Sequence, residues 1–328
     1  MKRILVVDVA AEKGGALTVL NKYIENTSSL KNQYFFVLSK ELRDDTDTQT
    51  YIYLPWIKRS YFHRLVFDFF YVRYLVWKYD IDEVVSLQNN AFILRDIPQT
   101  VLLHNALFFS KQKYSIFQSK TIWIYQNIIS KYIRYSLNFA NRIIVQANWI
   151  KRVLIDEWSI PSNSIVVEPP IINSNETSSR VELPNKTCFF YPANGSIYKN
   201  HINVFKAFAE INSDKYALLL TGNLLNLNKE CKNFLKDNSL PIVFLDTLSS
   251  EEMNYIYSNS ILIFPSLIET VGLPLIEAQN HKSMIICSNL EYAKEATKDY
   301  ENTMYFDPYS INSIRDSIIK CIENRGLL

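Results

Sequence analysis

The sequence predicts an α/β protein of two domains, each built on a parallel β-sheet. Its 328 residues exceed what one small core needs and fit two domains of about 150 residues. Hydrophobic residues make up 48% of the chain and charged residues 21%, which is typical of a folded globular protein. Short apolar runs alternate with helix-like segments along the whole chain, and this order favours parallel sheets covered by helices on both faces.

The first half of the chain begins with a strand at residues 4–9, a loop containing Gly14 and Gly15, and a helix that ends near residue 26. Further strands are predicted at residues 34–39, 83–87, 100–104, 142–146 and 164–168, and further helices at 60–79, 114–139 and 149–157. The segment 169–184 is polar and has prolines at both ends, which indicates a domain boundary. We therefore expect an N-terminal domain at 1–170 and a C-terminal domain at 171–328.

The second half repeats the same alternation. Strands are predicted at residues 187–191, 216–221, 242–245, 261–264 and 284–287, and helices at 199–212, 229–237, 249–258, 274–281 and 311–323. Two such domains would leave a cleft between the carboxyl ends of their sheets, and folds of this kind bind ligands at those ends.

Composition excludes several classes of protein. The chain has no run of about 18 uninterrupted apolar residues, so no membrane-spanning helix is expected. The apolar run in the N-terminal MKRILVVDVA is too short for a signal peptide, so a cytoplasmic location is expected. The four cysteines are far apart without a CxxC pair, which favours buried free thiols over a metal site or disulfides. No nucleic-acid partner is expected.

Charge is distributed unevenly between the two halves. Residues 1–170 carry a net charge of +6, whereas the remainder carries −4, and no acidic residue occurs between Asp96 and Asp156. Aromatic and basic residues are mixed at 60–79 and again at 111–135. Either the aromatics form the core beneath a solvated charged face, or these segments bind a membrane surface with anionic lipid.

Glycine is scarce, and its positions are informative. The chain has six glycines where an average composition of about 7% would give about 23. Most follow predicted strands and precede helices, where a loop can require positive φ or the close approach of a ligand. Helix N-termini in such loops bind phosphate, although tight turns alone would also explain the pattern. No GxxxxGK[ST], GxGxxG or GxSxG motif and no zinc spacing occurs in the chain.

The segment FPSLIETVGLPLIEA at 264–278 places Glu269 and Glu277 eight positions apart. Pro274 suits the first position of a helix, which would put Glu277 in the first turn. The two carboxylates could then bracket a ligand whose phosphate rests on three backbone N–H groups, because carboxylates are strong acceptors for sugar hydroxyls. Those N–H groups belong to Val271, Gly272 and Leu273.

Residues 265–278, PSLIETVGLPLIEA, resemble the motif PS-x-x-E-x-x-G-L-P-x-x-E-A of the retaining glycosyltransferases of family 4, which have the GT-B fold. The resemblance extends along the chain through TVLLHN at 100–105, IVQANWIKRVL at 144–154, FFYPANGSIYKN at 189–200 and FDP at 306–308. It implies two Rossmann-like domains facing across a cleft. The N-terminal domain would bind the acceptor, and the C-terminal domain would bind the nucleotide-sugar donor.

The resemblance also implies roles for individual residues. Glu277 would hold the ribose hydroxyls of the donor, Glu269 would contact the transferred sugar, and Lys199 would neutralise the diphosphate. Gly15 would let the backbone approach the diphosphate, and His104 would lie beside the sugar on the acceptor side. His104 and Glu269 are therefore the candidate catalytic residues.

The loop before Lys199 departs from the family pattern. Many members have an arginine there, whereas this loop reads Ala193-Asn194-Gly195-Ser196, so Asn194 would supply a hydrogen bond but no charge. The implied reaction is transfer of a hexose with retention of configuration, without a metal or cofactor. The acceptor would be a saccharide or lipid-linked saccharide in surface polysaccharide synthesis, at the inner face of the membrane. Two alternatives stay open: another GT-B enzyme, such as an epimerase or phosphorylase, and a non-catalytic binding subunit.

Overall fold

The computed structural model describes residues 1–12, 14–28, 31–170 and 180–325. The chain forms two compact units, Met1–Pro169 and Pro170–Leu328. Each unit is an α/β structure with one parallel sheet.

The N-terminal unit has a seven-stranded sheet in the order β3-β2-β1-β4-β5-β6-β7, and every neighbouring pair is parallel. Its strands are β1 (Arg3–Asp8), β2 (Gln33–Leu38), β3 (Gln49–Tyr53), β4 (Glu83–Ser86), β5 (Gln99–Leu103), β6 (Arg142–Val145) and β7 (Ile165–Val167). Its helices are α1 (Gly14–Thr27), α2 (Tyr61–Val66), α3 (Val72–Lys78), α4 (Lys120–Ile124), α5 (Ser130–Ser136) and α6 (Asn148–Asp156). A π-helical turn joins α2 to α3 (Phe67–Tyr71), and another joins α4 to α5 (Tyr125–Ile129).

The C-terminal unit has a six-stranded parallel sheet in the order β10-β9-β8-β11-β12-β13. Its strands are β8 (Thr187–Tyr191), β9 (Tyr216–Thr221), β10 (Ile242–Leu245), β11 (Ile261–Phe264), β12 (Ile285–Ser288) and β13 (Thr303–Phe306). Its helices are α7 (His201–Ala209), α8 (Lys229–Asp237), α9 (Ser250–Asn259), α10 (Leu273–Asn280), α11 (Glu291–Ala296) and α12 (Ile311–Arg325).

Alternation along the strands builds a core on both faces of the first sheet. In β1, Leu5 and Val7 pack into the layer that contains α3, whereas Ile4 and Val6 pack into the layer that contains α1. Successive side chains of a strand point to opposite faces, so an uninterrupted apolar strand needs cover on both. All four cysteines are buried thiols outside any disulfide, as the sequence predicts.

Strand order reverses once in each sheet, between β1 and β4 and between β8 and β11. Ligands of open α/β sheets bind at the carboxyl ends of the strands beside such a switch point. Binding residues are therefore expected in the loops after β1, β4 and β5 in the first unit and in those after β8 and β11 in the second.

Three elements were not predicted, and several helix boundaries differ from the prediction, including those of α7, which spans His201–Ala209 where 199–212 was predicted. The edge strands β3 and β13 and the short helix α11 are new. The helix predicted at 114–139 begins at Lys120, because the Ser119 side chain caps it by accepting a hydrogen bond from the Ile122 N–H. Helix α10 begins at Leu273, so Glu277 lies in its second turn, and its placement in the first turn was wrong.

Candidate active site

The loops after β8 and β11 bring Lys199 and Glu269 into contact. Their side chains form an ion pair between Lys199 Nζ and Glu269 Oε1, although 70 positions separate them in the sequence. Only 14% of the lysine side chain and 16% of the glutamate side chain are exposed. A charge pair this deep in a site lined by backbone loops presents both a cation and a carboxylate to one ligand.

Backbone hydrogen bonds fix the position of Lys199. The hydroxyl of Tyr191, at the end of β8, donates to the Lys199 carbonyl at 2.7 Å. The Leu267 N–H in the second loop donates to the Tyr198 carbonyl at 2.8 Å, which joins the two loops. Asn200 follows in the left-handed conformation (φ 58°) and begins α7. The lysine is therefore preorganised, and binding need not order its backbone.

Gly272 forms the N-cap of α10 and determines how that helix begins. Its φ of +75° lies in the left-handed region, which favours glycine. An added Cβ would lie 3.0 Å from the Leu275 side chain and 3.3 Å from the ring of Tyr292. The first N–H groups of a helix have no intrahelical acceptor, so the turn that contains Val271 and Leu273 can accept an anion.

Glu277 is oriented by a buried tyrosine. The Tyr257 hydroxyl, on α9, donates to Glu277 Oε2 at 2.6 Å. Burial, and then the charge of Glu277, raises the pKa of Tyr257 well above its ordinary value, so the phenol stays protonated and keeps donating. This hydrogen bond orients the carboxylate, which suits Glu277 to accept hydrogen bonds from the hydroxyl groups of a ligand.

Asn194 lies on a cavity of about 460 Å³ at the ends of β8 and β9. Its Oδ1 accepts a hydrogen bond from the Ser196 N–H at 3.0 Å. Gly195 packs so closely that an added Cβ would be 2.0 Å from the Asn226 carbonyl oxygen. The cavity is lined by Ala193, Asn194, Gly195, Ser196, Thr221, Gly222 and Asn226.

His104 follows β5 in the N-terminal unit and is held by Asn89. Asn89 Oδ1 accepts hydrogen bonds from the backbone N–H groups of His104 (2.8 Å) and Asn105 (3.0 Å). The Asn89 amide nitrogen therefore faces His104 Nε2, at 3.5 Å, whereas His104 Nδ1 is buried without a hydrogen-bond partner among the described residues. Burial lowers the pKa of His104, so its ring is neutral near pH 7.

Gly15 lies in the first turn of α1, but its surroundings are outside the part of the chain that the structure describes. Among the described residues, no three His, Cys, Asp or Glu side chains converge as metal ligands.

Two functional candidates in the first unit escaped sequence reasoning. Asp8 ends β1 and is almost fully buried, and neither of its carboxylate oxygens has a hydrogen-bond partner among the described residues. Burial raises the pKa of this carboxyl to about 7. Asn89 adopts a left-handed φ of 73° to reach His104. The polar triplet Gln88-Asn89-Asn90 directly after a buried strand was the signal that could have revealed it.

Comparison with known proteins shows the fold of this chain and the family that its second unit resembles. The O-antigen chain mannosyltransferase RfbU of Salmonella typhimurium is 24% identical over 194 residues, which are 58% of this chain and only 53% of that protein. The crystal structure of WaaG, a glycosyltransferase involved in lipopolysaccharide biosynthesis, superposes with a TM-score of 0.74 at 11% identity, covering 99% of this chain and 91% of WaaG. The Anabaena protein HepE, solved in complex with UDP-glucose, gives a TM-score of 0.65 at 14% identity over 99% and 91% of the two chains.

The structural matches establish the fold as GT-B, the class to which these glycosyltransferases belong. The family model "Glycosyl transferases group 1" matches residues 174–328, nearly the whole second unit. The second unit is therefore similar to the group 1 glycosyl transferases.

Proposed function

We propose that this protein is a retaining hexosyltransferase that moves a sugar from a nucleotide-sugar to a saccharide or lipid-linked saccharide, in surface polysaccharide synthesis. The observation that carries the proposal is the ion pair of Lys199 and Glu269 beside the N-terminus of α10. In this proposal the second unit binds the donor and the first unit binds the acceptor. Relatives and neighbours that act in O-antigen and lipopolysaccharide synthesis support the pathway.

The proposed mechanism centres on the leaving group. Cleavage of the sugar–phosphate bond leaves negative charge on the nucleotide diphosphate, and a positioned cation stabilises this charge. Lys199 would move from Glu269 to the diphosphate, and the N–H groups at the start of α10 would add to the stabilisation. The freed Glu269 carboxylate would accept hydrogen bonds from sugar hydroxyls, and Glu277 would bind the ribose hydroxyls of the donor. This arrangement supplies the charge without a metal.

His104 and its partner Asn89 provide a polar edge in the proposed acceptor unit. A neutral imidazole can accept or donate a hydrogen bond to a hydroxyl without placing a second charge near the reaction. We assign to His104 the orientation of a sugar or acceptor hydroxyl.

Donor binding tests the proposal directly. A thermal-shift screen would identify the nucleotide-sugar, and titration calorimetry would then measure its affinity for Lys199→Ala and Glu277→Ala. Each should bind about 10- to 150-fold more weakly, because charge-assisted hydrogen bonds contribute about 1.5–3 kcal/mol.

Lys298→Ala and Glu301→Ala are matched controls, because both side chains are exposed in the same unit. Unchanged affinity in the two site variants, with melting temperatures like those of the controls, would remove the site. Donor binding without any turnover would instead indicate a non-catalytic binding subunit.

We further propose that the N-terminal unit binds the surface of an anionic membrane. Helix α3 and the π-helical turn before it supply core residues, but Phe62 of α2 (71%), Phe70 of the turn (72%) and Trp77 of α3 (78%) are exposed, as is Phe117 (97%) in the loop before α4. This unit is also the positively charged half of the chain. Exposed aromatics beside basic residues suit a bilayer interface with anionic lipid. No helix among the described residues is long and apolar enough to cross a membrane.

A further inference from the structure

The N-terminal unit contains a cavity of about 250 Å³ that shares no lining residue with the candidate active site. It lies between the segment after β5 and the helical segment that contains α4 and α5. Its walls carry four cations: Lys111, Lys113, Lys131 and Arg134. Glu157 is the one acidic residue that lines it.

A buried glutamine holds the two cationic segments together. Gln126 lies in the π-helical turn between α4 and α5 and is only 5% exposed. Its Nε2 donates to the Gln112 carbonyl at 2.7 Å, and its Oε1 accepts from the Tyr114 N–H at 3.1 Å. Lys113 is therefore anchored opposite the helix that carries Lys131 and Arg134. π-turns are frequent at functional sites.

Aromatic side chains form the apolar side of the cavity. The ring of buried Phe109 lies 4.8 Å from that of Trp158, and Phe108 stacks on Tyr125 at 6.0 Å. These aromatic rings form a wall beside the four cations, whose side chains are exposed to solvent.

The charge of this cavity is not balanced within the protein. Among the described residues, Lys113, Lys131 and Arg134 form no ion pair, whereas Lys111 already has a contact of its own and is not needed for the argument. No acidic residue occurs from residue 97 to residue 155. Like charges held together repel one another, and a bound anion would relieve the part of this repulsion that water and salt do not screen at these exposed positions.

We propose that this cavity binds a phosphate group, either a phosphate monoester or a diphosphate. Arginine and lysine are the side chains that recognise phosphate, and arginine adds a fork of donors that matches its oxygens. The phosphate can come from an anionic lipid headgroup or from a soluble phosphorylated compound. The proposal does not depend on the transferase activity.

The test uses inorganic pyrophosphate and the full chain with Lys199→Gln, which removes the cation of the proposed donor site. In this parent, the triple variant Lys113→Gln/Lys131→Gln/Arg134→Gln should bind pyrophosphate at least about tenfold more weakly, as the loss of one or more charge-assisted hydrogen bonds predicts. The control triple Lys22→Gln/Lys31→Gln/Lys40→Gln loses the same charge from exposed positions elsewhere in the unit, and it should bind within about twofold of the parent.

Vesicles distinguish the two sources of phosphate. Phosphatidylcholine vesicles are doped with phosphatidic acid, a phosphate monoester, or with phosphatidylserine, whose phosphate is a diester. Preference for phosphatidic acid that only the cavity triple loses would identify a lipid headgroup. Pyrophosphate binding without that preference would identify a soluble ligand. Equal pyrophosphate and vesicle binding by the cavity triple and the control triple would overturn the proposal.

Discussion

At the residue scale, Lys199 and Glu269 neutralise each other in the absence of ligand. A partly buried charge without a partner is costly, so each residue stabilises the other until a diphosphate and a sugar replace the ion pair. The ring of Tyr292 and that of Tyr191 remain neutral beside them, because burial, and then the charge of Glu269, raises the pKa of each well above its ordinary value. The site therefore holds one charge pair within neutral surroundings.

Asp8 gives a prediction about stability and pH. Its folded-state pKa is raised to about 7 from 3.8, so its unfavourable contribution is absent below pH 3.8 and grows as the pH rises to about 7. Asp8→Asn should therefore increase stability relative to wild type by up to a few kcal/mol above pH 7, and by progressively less at acidic pH.

Urea unfolding across this pH range measures the difference, and Asp96→Asn is the control at an exposed position. A stability difference for Asp8→Asn that is independent of pH would mean that Asp8 is ionised throughout.

At the element scale, the loops that follow the strands position the site. Some of these loops could be predicted from the sequence, and others could not. The segment 264–278 predicted a loop followed by a helix, because Gly272, Pro274 and two carboxylates are close together in the sequence. The pairing of Lys199 with Glu269 depends on the order β8-β11 in the sheet, which no local pattern specifies. The role of Asn89 depends on a left-handed backbone that asparagine tolerates but does not require.

Most strands were predictable because fully buried parallel strands are continuous apolar runs. The two missed strands, β3 and β13, lie at sheet edges and are more polar or exposed, with Gln49-Thr50 in one and an exposed Tyr305 in the other. Helix α10 was predicted one residue late because the sequence favours Pro274 as the first helical position, whereas the left-handed Gly272 begins the helix earlier.

Gly195 gives a prediction about the loop after β8. It forms a β-bridge with Leu227, and an alanine Cβ would overlap the Asn226 carbonyl oxygen, so backbone must move. Gly195→Ala should lose about 1–3 kcal/mol of stability, as other overpacked sites do, and should also weaken donor binding.

Ser213→Ala, at an exposed position of the same unit, is the control. Urea unfolding measures the stability, and titration calorimetry measures donor binding. Wild-type stability in Gly195→Ala would show that the loop and the segment that contains Asn226 separate easily.

At the scale of the whole molecule, the two units differ in charge and in surface. The first unit exposes an aromatic face and has a net positive charge. The second unit contains the candidate residues for nucleotide-sugar binding and has a net negative charge. This division suits an enzyme whose acceptor is at a membrane and whose donor is dissolved in water.

The membrane proposal predicts flotation with anionic vesicles that weakens as salt is added, because surface charges are screened beyond about 8–10 Å near physiological ionic strength. Phe62→Ser/Phe70→Ser/Trp77→Ser should reduce recovery strongly. Leu224→Ser/Leu225→Ser, which removes exposed apolar side chains from the second unit, should not. Equal recovery with neutral and anionic vesicles would favour a water-soluble acceptor.

The most direct test of the central claim is turnover by Glu269→Gln, measured as release of the nucleotide diphosphate from the donor found by the screen. The account predicts a kcat at least about 100-fold below wild type, since removal of a group that acts at the reacting centre costs about 3 kcal/mol or more. Affinity for the free nucleotide diphosphate should stay within a few fold, because Lys199 and Glu277 remain. Wild-type turnover in Glu269→Gln, or a loss confined to nucleotide affinity, would contradict the proposed site.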